Sequence, residues 1–220
     1  MKKLFYYMLV ITVIAAISLV SVEVYAGWEL YDNFNSGAID PTRWAIDDSS
    51  ATITPIFGAV RFEHQPGFPE DSSWLRFNQS PETIKAVLVT AMVQSCTGDV
   101  RGRIAGYIGK LGDKYLWNEI GARGGEERIA TYVSVVDDPR LLYWGHFGDP
   151  VDLIGDIFTM GTTFFNPQNV IYYVGDLGMH TIEIFETLSP TDDHFKGIGT
   201  RSTNGDGPCV VYFDNVYVLR

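Results

Sequence analysis

The sequence predicts an all-β domain built as a two-sheet antiparallel β-sandwich, and three observations carry that expectation. Short runs rich in Val, Ile, Thr, Tyr and Phe recur along the chain, separated by Gly, Asp, Asn and Pro. Gly, Tyr, Phe and Trp are frequent while Leu is modest, which suits pleated strands better than helices. No heptads, fixed-period repeats or low-complexity linkers break the rhythm, and many evenly spaced strands with turn signals indicate a sandwich.

Taken in order, the chain first presents Lys2 and Lys3, then an apolar run from Leu4 to Val20, then Val24-Tyr25-Ala26 before Gly27. This pattern predicts a secretory signal over residues 1–26, with one domain over 27–220. The alternative is an uncleaved anchor, because the run is nearly long enough to span a bilayer. No Cys follows it, so a lipoprotein anchor is not supported. Thr52 to Phe57 and Ala59 to His64 read as a hairpin-like pair around Gly58. Strands are expected at Trp74 to Phe77, Thr83 to Gln94, Val100 to Ile108, Tyr115 to Arg123 and Glu127 to Val136. Others follow at Arg140 to Phe147, Asp156 to Thr163, Val170 to Val174, Met179 to Thr187, Gly197 to Thr203 and Cys209 to Leu219. Ser189 to Phe195 reads as a surface loop. Any helix is expected to be a single turn, near Phe34 to Pro41 or in that late loop.

Charge and motif content exclude several functions. A formal net charge of −11 argues against nucleic acid held through its phosphates and against docking on anionic lipid. The four histidines, His64, His146, His180 and His194, have no zinc-ligand spacing. No G-x-S-x-G elbow is present, and Gly121 to Gly125 is not followed by the Lys-Ser/Thr of a phosphate loop. The two cysteines, Cys96 and Cys209, form an even set in a chain expected to be exported, which favours a disulfide over two buried thiols.

The segment Trp117-Asn118-Glu119-Ile120-Gly121-Ala122-Arg123 resembles the W-D-E-I-D-I-E catalytic strand of laminarinase/lichenase-type retaining β-glucanases, in the concanavalin A-like superfamily. Trp28 to Asn35 with Asp40-Pro41-Thr42-Arg43-Trp44, and Val211 to Val218, are similar to the opening and closing segments of that fold. The resemblance implies a jelly roll over nearly the whole mature chain. In it, nucleophile, Asp and acid/base occupy alternate strand positions and so share one face. Here those positions hold Glu119, Gly121 and Arg123, and Arg cannot deliver a proton near neutral pH. The resemblance therefore implies the fold and argues against the reaction; a catalytic role is left to Glu119 only if the chain is an enzyme. Gly121 marks a bulge, a close approach, or drift after lost catalysis.

The same resemblance makes the Glu119 face the sugar-binding face. With strand alternation, it nominates Arg103, Tyr107, Trp117, Glu119, Arg123, Trp144 and His146 as ligand-binding residues. The alternatives are aromatics serving as sheet cross-pairs and Glu119 in a salt bridge to Arg123. By position, a structural calcium would use Asp214, the Asp32-Asn33 segment and Gly58, since carboxylate and carbonyl oxygens suit this cation. The closing strand of such folds would bring Cys209 beside Cys96. The expected function is a secreted, periplasmic or cell-surface lectin-like module that binds a polysaccharide or glycan. Its rivals are a hydrolase with a rearranged site and a structural or adhesive envelope protein.

Overall fold

The computed structural model describes residues 27–220 except 49, 57, 66–70, 97–98, 109–113, 124–125, 136–140, 147–153, 165–168, 175–178, 184–194 and 205–208. The expected signal segment therefore lies outside the described residues, as does all but Phe195 of the expected late loop. The described strands are β1 (Trp28–Asp32), β2 (Trp44–Asp47), β3 (Thr52–Ile56), β4 (Ala59–His64), β5 (Asp71–Phe77), β6 (Ala86–Cys96), β7 (Asp99–Ile108) and β8 (Lys114–Arg123). They continue with β9 (Glu126–Val135), β10 (Leu141–His146), β11 (Ile157–Thr163), β12 (Asn169–Val174), β13 (Met179–Glu183), β14 (Lys196–Asn204) and β15 (Cys209–Leu219).

Two antiparallel sheets form. One has 8 strands in the order β13-β12-β11-β6-β15-β4-β3, with β1 paired to β15. The other has 7 in the order β10-β9-β8-β7-β14-β5-β2. The chain is thus a jelly-roll β-sandwich, as expected. The core lies where the inner faces meet: Val60, Phe62, Val89, Ala91, Val211 and Phe213 from the larger sheet, and Leu75, Val100, Ile104, Leu116, Ile120 and Ile198 from the smaller. On β4 every second residue is buried, the pattern a half-buried strand requires.

Polar links also tie the sheets together. His64 Nε2 meets Thr200 Oγ1 at 2.7 Å across the sandwich, and Asn118 Nδ2 donates to the carbonyl of Gly161 at 3.1 Å. Cys96 and Cys209 face each other in the β6–β15 register and are bonded, with Cα atoms 4.1 Å apart. A bridge across a sequence separation of 113 removes much loop entropy from the unfolded chain, and such bridges stabilise by roughly 2–5 kcal/mol.

The opening segment of the domain is an aromatic plug. Tyr31 packs edge-on against Trp44 and Phe77, each at 5.0 Å, and Phe34 stacks on Trp44 at 6.0 Å. Asp32 organises this plug: Oδ1 accepts from the Phe34 N–H and Oδ2 from the Trp44 indole N–H, both at 2.8 Å. That pairing holds Phe34 at φ 52, a left-handed value a bulky residue adopts only when its surroundings impose it.

Two sequence expectations are corrected. The described helical turn is Pro81–Thr83, not Phe34 to Pro41, where the chain makes hydrogen-bonded turns instead. Pro81 sits at the start of that turn, where its missing N–H costs nothing. Thr83 accordingly belongs to the turn, and the strand begins at Ala86. Lys196 ties this turn down from the buried interior, donating from Nζ to the carbonyls of Pro81 at 2.7 Å and Ile84 at 2.8 Å. β1 and β2 are further strands, too short and irregular for sequence alternation to show.

Burial holds the His64 imidazole neutral by lowering its pKa from 6.5 to about 4. The unfolded chain takes up this proton near 6.5, so between these values it binds more protons than the folded one. Stability should therefore fall as the pH drops from 6.5 to 4, by about 3 kcal/mol from this group. Denaturant titrations of wild type and His64→Gln across that window check it; Gln keeps a partner for Thr200 but does not titrate. Parallel curves would contradict the assignment.

Candidate functional site

The site is built on the outer face of the seven-stranded sheet. Because side chains alternate, β8 sends Leu116 and Ile120 into the core and Tyr115, Trp117 and Glu119 to the other side. Neighbouring strands then align in rows across the sheet. One row runs Arg76, Gly197, Ala105, Trp117, Tyr132 and Trp144 from β5 to β10. The next runs Trp74, Gly199, Arg103, Glu119, Ala130 and His146. A third runs Ser72, Arg201, Arg101, Gly121 and Arg128.

Glu119 sits at the centre, facing away from the core yet only 1% exposed. Its partner is Arg103, directly opposite on β7 and also 1% exposed. Arg103 Nε donates to Glu119 Oε2 at 2.9 Å, and Nη2 lies 2.7 Å from the same oxygen. Glu119 Oε1 lies 3.7 Å from Arg101 Nε. Desolvation pulls the Arg103 pKa below its usual range while the Glu119 carboxylate pulls it back. Arginine's ordinary pKa is so high that it stays a cation near neutral pH. The described partner of Glu119 is thus Arg103; the side chain of Arg123, whose salt bridge to Glu119 was the alternative read from sequence, lies outside what the structure describes. Arg123 lies opposite Glu126 in the β8–β9 register.

Gly121 has a definite steric reason. Its φ is +153, and a Cβ built there would stand 2.1 Å from the Val100 carbonyl oxygen. The glycine therefore marks a close approach of β7 backbone to β8, one of the readings the sequence left open. Gly199 is similar: a Cβ would meet the Ser73 carbonyl at 2.2 Å and the Trp74 ring at 2.4 Å, so the indole lies flat over it.

Aromatic rings flank the ion pair. The Arg103 guanidinium lies over the Trp117 ring at 5.3 Å, and Trp117 contacts Tyr115 at 5.1 Å. Tyr115 continues to Phe195 at 6.0 Å, which contacts Trp74 at 5.5 Å and carries Arg76 over its face at 5.0 Å. Tyr115, Trp117 and Phe195 are half-buried and form a shelf beside the covered carboxylate.

Of the residues nominated from sequence, Arg103, Trp117 and Glu119 come together. Tyr107 lies opposite Tyr115, Trp144 opposite Tyr132 and His146 opposite Ala130, so the backbone register places all three on the same face. Sequence reading missed Trp74, Tyr115, Phe195, Arg76 and Arg201. Strand alternation alone was enough to place Tyr115; Phe195 was assigned to a loop and gave no periodic signal.

The proposed metal positions converge elsewhere, at one end of the larger sheet. Asp32 pairs with Val216 and Val60 with Phe213, while the Gly58 N–H donates to the Phe34 carbonyl at 3.4 Å. Both Asp32 carboxylate oxygens already accept protein hydrogen bonds. Asp214 is half-buried, and burial raises its pKa. No group of three His, Cys, Asp or Glu side chains fit for a metal occurs among the described residues, so a calcium here would be held largely by backbone oxygens.

No family sequence model matches the chain. No curated protein matches it either. Solved structures do. The GlcNAcα1-4Gal-releasing endo-β-galactosidase from Clostridium perfringens superposes with a TM-score of 0.60 at 12% identity; the match covers 88% of this chain but only 63% of that enzyme's. The laminarinase catalytic domain from Thermotoga maritima gives 0.58 at 14% identity, covering 87% and 98%. The Bacillus licheniformis β-glucanase gives 0.58 at 12% identity, covering 88% and 97%. The chain therefore has the concanavalin A-like glucanase jelly-roll fold.

If Gly121 is fixed by the Val100 carbonyl, the missing Asp cannot simply be restored. Gly121→Asp should lower stability by roughly 2 kcal/mol or more, since both the backbone region and the contact exclude a side chain. A thermal or denaturant midpoint unchanged from wild type would contradict this.

Proposed function

We propose that the chain is an exported glycan-binding module whose ligand lies on the outer face of the seven-stranded sheet, and that it lacks the double-displacement chemistry of retaining glucanases. The observation that carries the reading is the state of Glu119. Retaining hydrolysis needs an accessible nucleophile and a second carboxyl roughly 5 Å away to protonate the leaving group. Glu119 is buried in an ion pair with Arg103, position 121 has no room for a side chain, and Arg123 stands where the acid/base belongs. The aromatic shelf beside it suits the C–H faces of sugar rings. The disulfide and the basic-then-apolar N-terminal sequence support export. Among the described residues no helix is long and apolar enough to cross a membrane.

A rearranged hydrolase would need a carboxylate from a neighbouring strand, and Glu126, opposite Arg123, is on the right face by register. Binding and turnover assays separate the readings. A glycan array should show binding that weakens about tenfold in Trp117→Ala, the loss of one stacked ring. Reducing-end release from β-1,3-, mixed-linkage and galactan polymers should stay at background, since the absent acid/base alone contributes roughly 10²–10⁴-fold. Turnover abolished by Glu119→Gln or Glu126→Gln would establish the hydrolase instead. An array with no glycan bound would favour the structural or adhesive reading.

We also retain the calcium reading for Asp214, with backbone oxygens of the Asp32-Asn33 segment and Gly58. A cation would offset the cost of half-burying that carboxylate. Millimolar calcium should raise the thermal midpoint through binding to the folded state alone, and Asp214→Asn should abolish the shift. An identical midpoint with calcium and with chelator would remove the site.

A further inference from the structure

The outer face of the eight-stranded sheet has no part in the site described above, yet it holds a groove. Val89, Ala91, Val93, Val211 and Phe213 point into the core. Alternation therefore sends Thr90, Met92 and Gln94 of β6, and Tyr212 and Asp214 of β15, to the outside. Ile157 of β11 lies opposite Met92, Met92 opposite Tyr212, and Thr90 opposite Asp214. These side chains line an open groove of about 390 Å³. Most of its surface is apolar with a few polar groups among it, the make-up of a small-ligand site. Ile157 is 72% exposed on its β11 side, apolar surface that a ligand would remove from water.

The polar groups restrict what can fill it. The Tyr212 hydroxyl donates to Gln94 Oε1 at 2.9 Å, which holds the ring and leaves the Gln94 NH2 group to donate. Asp214 accepts from the Asn215 N–H at 2.6 Å and from the Asn215 NH2 at 2.8 Å. A carboxylate has about four lone-pair sites, so donors from a ligand still fit. Burial raises the Asp214 pKa, and no described cation offsets it. Arg61, opposite Tyr212 on β4, is paired with Glu63 instead. A hydrocarbon would cover this carboxylate without giving it a donor, which is costly. An anionic ligand would meet both Asp214 and a chain of formal net charge −11. The groove suits a neutral molecule with an apolar face for Tyr212 and Met92 and hydroxyl donors for Asp214. A pyranose ring, with its C–H face and hydroxyl edge, has that form.

We propose that this groove is a second glycan-binding site, which takes a neutral sugar against Tyr212 with hydroxyls at Gln94, Thr90 and Asp214. The proposal rests on the reading of the chain as a glycan-binding module and adds a function to it. The outer faces of the two sheets look away from each other across the sandwich. One molecule with a site on each therefore joins two polysaccharide chains, where a one-sited module only coats them.

The test is calorimetric titration of the full chain with oligosaccharides of β-1,3-glucan, mixed-linkage glucan and galactan, paired with turbidity of the parent polymers. All samples contain millimolar calcium, so that Asp214 is in one state throughout. Wild type should bind two equivalents of the recognised oligosaccharide and make its polymer turbid. Tyr212→Ala should weaken one equivalent about tenfold and Trp117→Ala the other, and either should abolish the turbidity. Tyr212→Phe, which keeps the ring, should keep most of the binding. A single equivalent in wild type, or titration and turbidity unchanged in Tyr212→Ala, overturns the proposal but leaves the first site standing. Binding lost in Tyr212→Ala and untouched in Trp117→Ala removes the first site and keeps this one. No binding to any of the three removes both. Dimers that form without glycan and vanish in Tyr212→Ala would show a second copy in the groove and overturn the proposal. If Tyr212→Ala fails to fold, exposed Gln94 decides: Gln94→Ala should weaken the same equivalent, and an unchanged titration overturns the proposal.

Discussion

Glu119 and Arg103 face each other across adjacent strands of one sheet, and water is almost entirely shut out from both. Two ions in such a place are tolerable only as a pair, because removing either leaves a charge that neither solvent nor the core can satisfy. This pairing fixes much of what surrounds it. It holds the Arg103 guanidinium against the Trp117 ring, and Trp117 in turn supports Tyr115 and the shelf to Phe195. It also occupies the one carboxylate that the glucanase resemblance would use as a nucleophile.

The sheet supplies the geometry for this pair. Core side chains on the inner faces lock the register, since a slip of one residue would send every apolar group on β7 and β8 to the wrong side. Once Ile104 and Ile120 point inward, Arg103 and Glu119 must meet outside. Gly121 and Gly199 let neighbouring backbone and the Trp74 ring close in where a Cβ would collide. Thr200, next to Gly199 on β14, meets His64 of the larger sheet directly beneath this face, and His64 lies opposite the bridged Cys209, so the outer face rests on a fixed support.

The fold was legible because strand periodicity and turn chemistry repeat along the chain. β1 and β2 were less so, since neither shows a clear alternation and β1 is held by pairing with the far C-terminal β15. The shared face of Arg103, Trp117 and Glu119 followed from alternation, whereas the identity of the Glu119 partner did not. A linear sequence offers Arg123, four residues along the same strand, whereas Arg103 comes to Glu119 only through the β7–β8 register. Phe195 was hidden for a different reason: it precedes β14 and owes its place to Tyr115 and Trp74, far away in the chain. The purpose of Gly121 was also unreadable, because it depends on a carbonyl of the next strand.

An ion pair that organises a face has an energetic signature that a coincidental contact lacks. A double-mutant cycle on stability, with Glu119→Gln, Arg103→Met and the double variant, reads it directly. The account predicts that each single change costs about 3 kcal/mol or more, and that the double variant costs at least about 2 kcal/mol less than their sum, because the second change removes the charge stranded by the first. Costs that add to within about 0.5 kcal/mol would show the two residues to be independent and contradict the account.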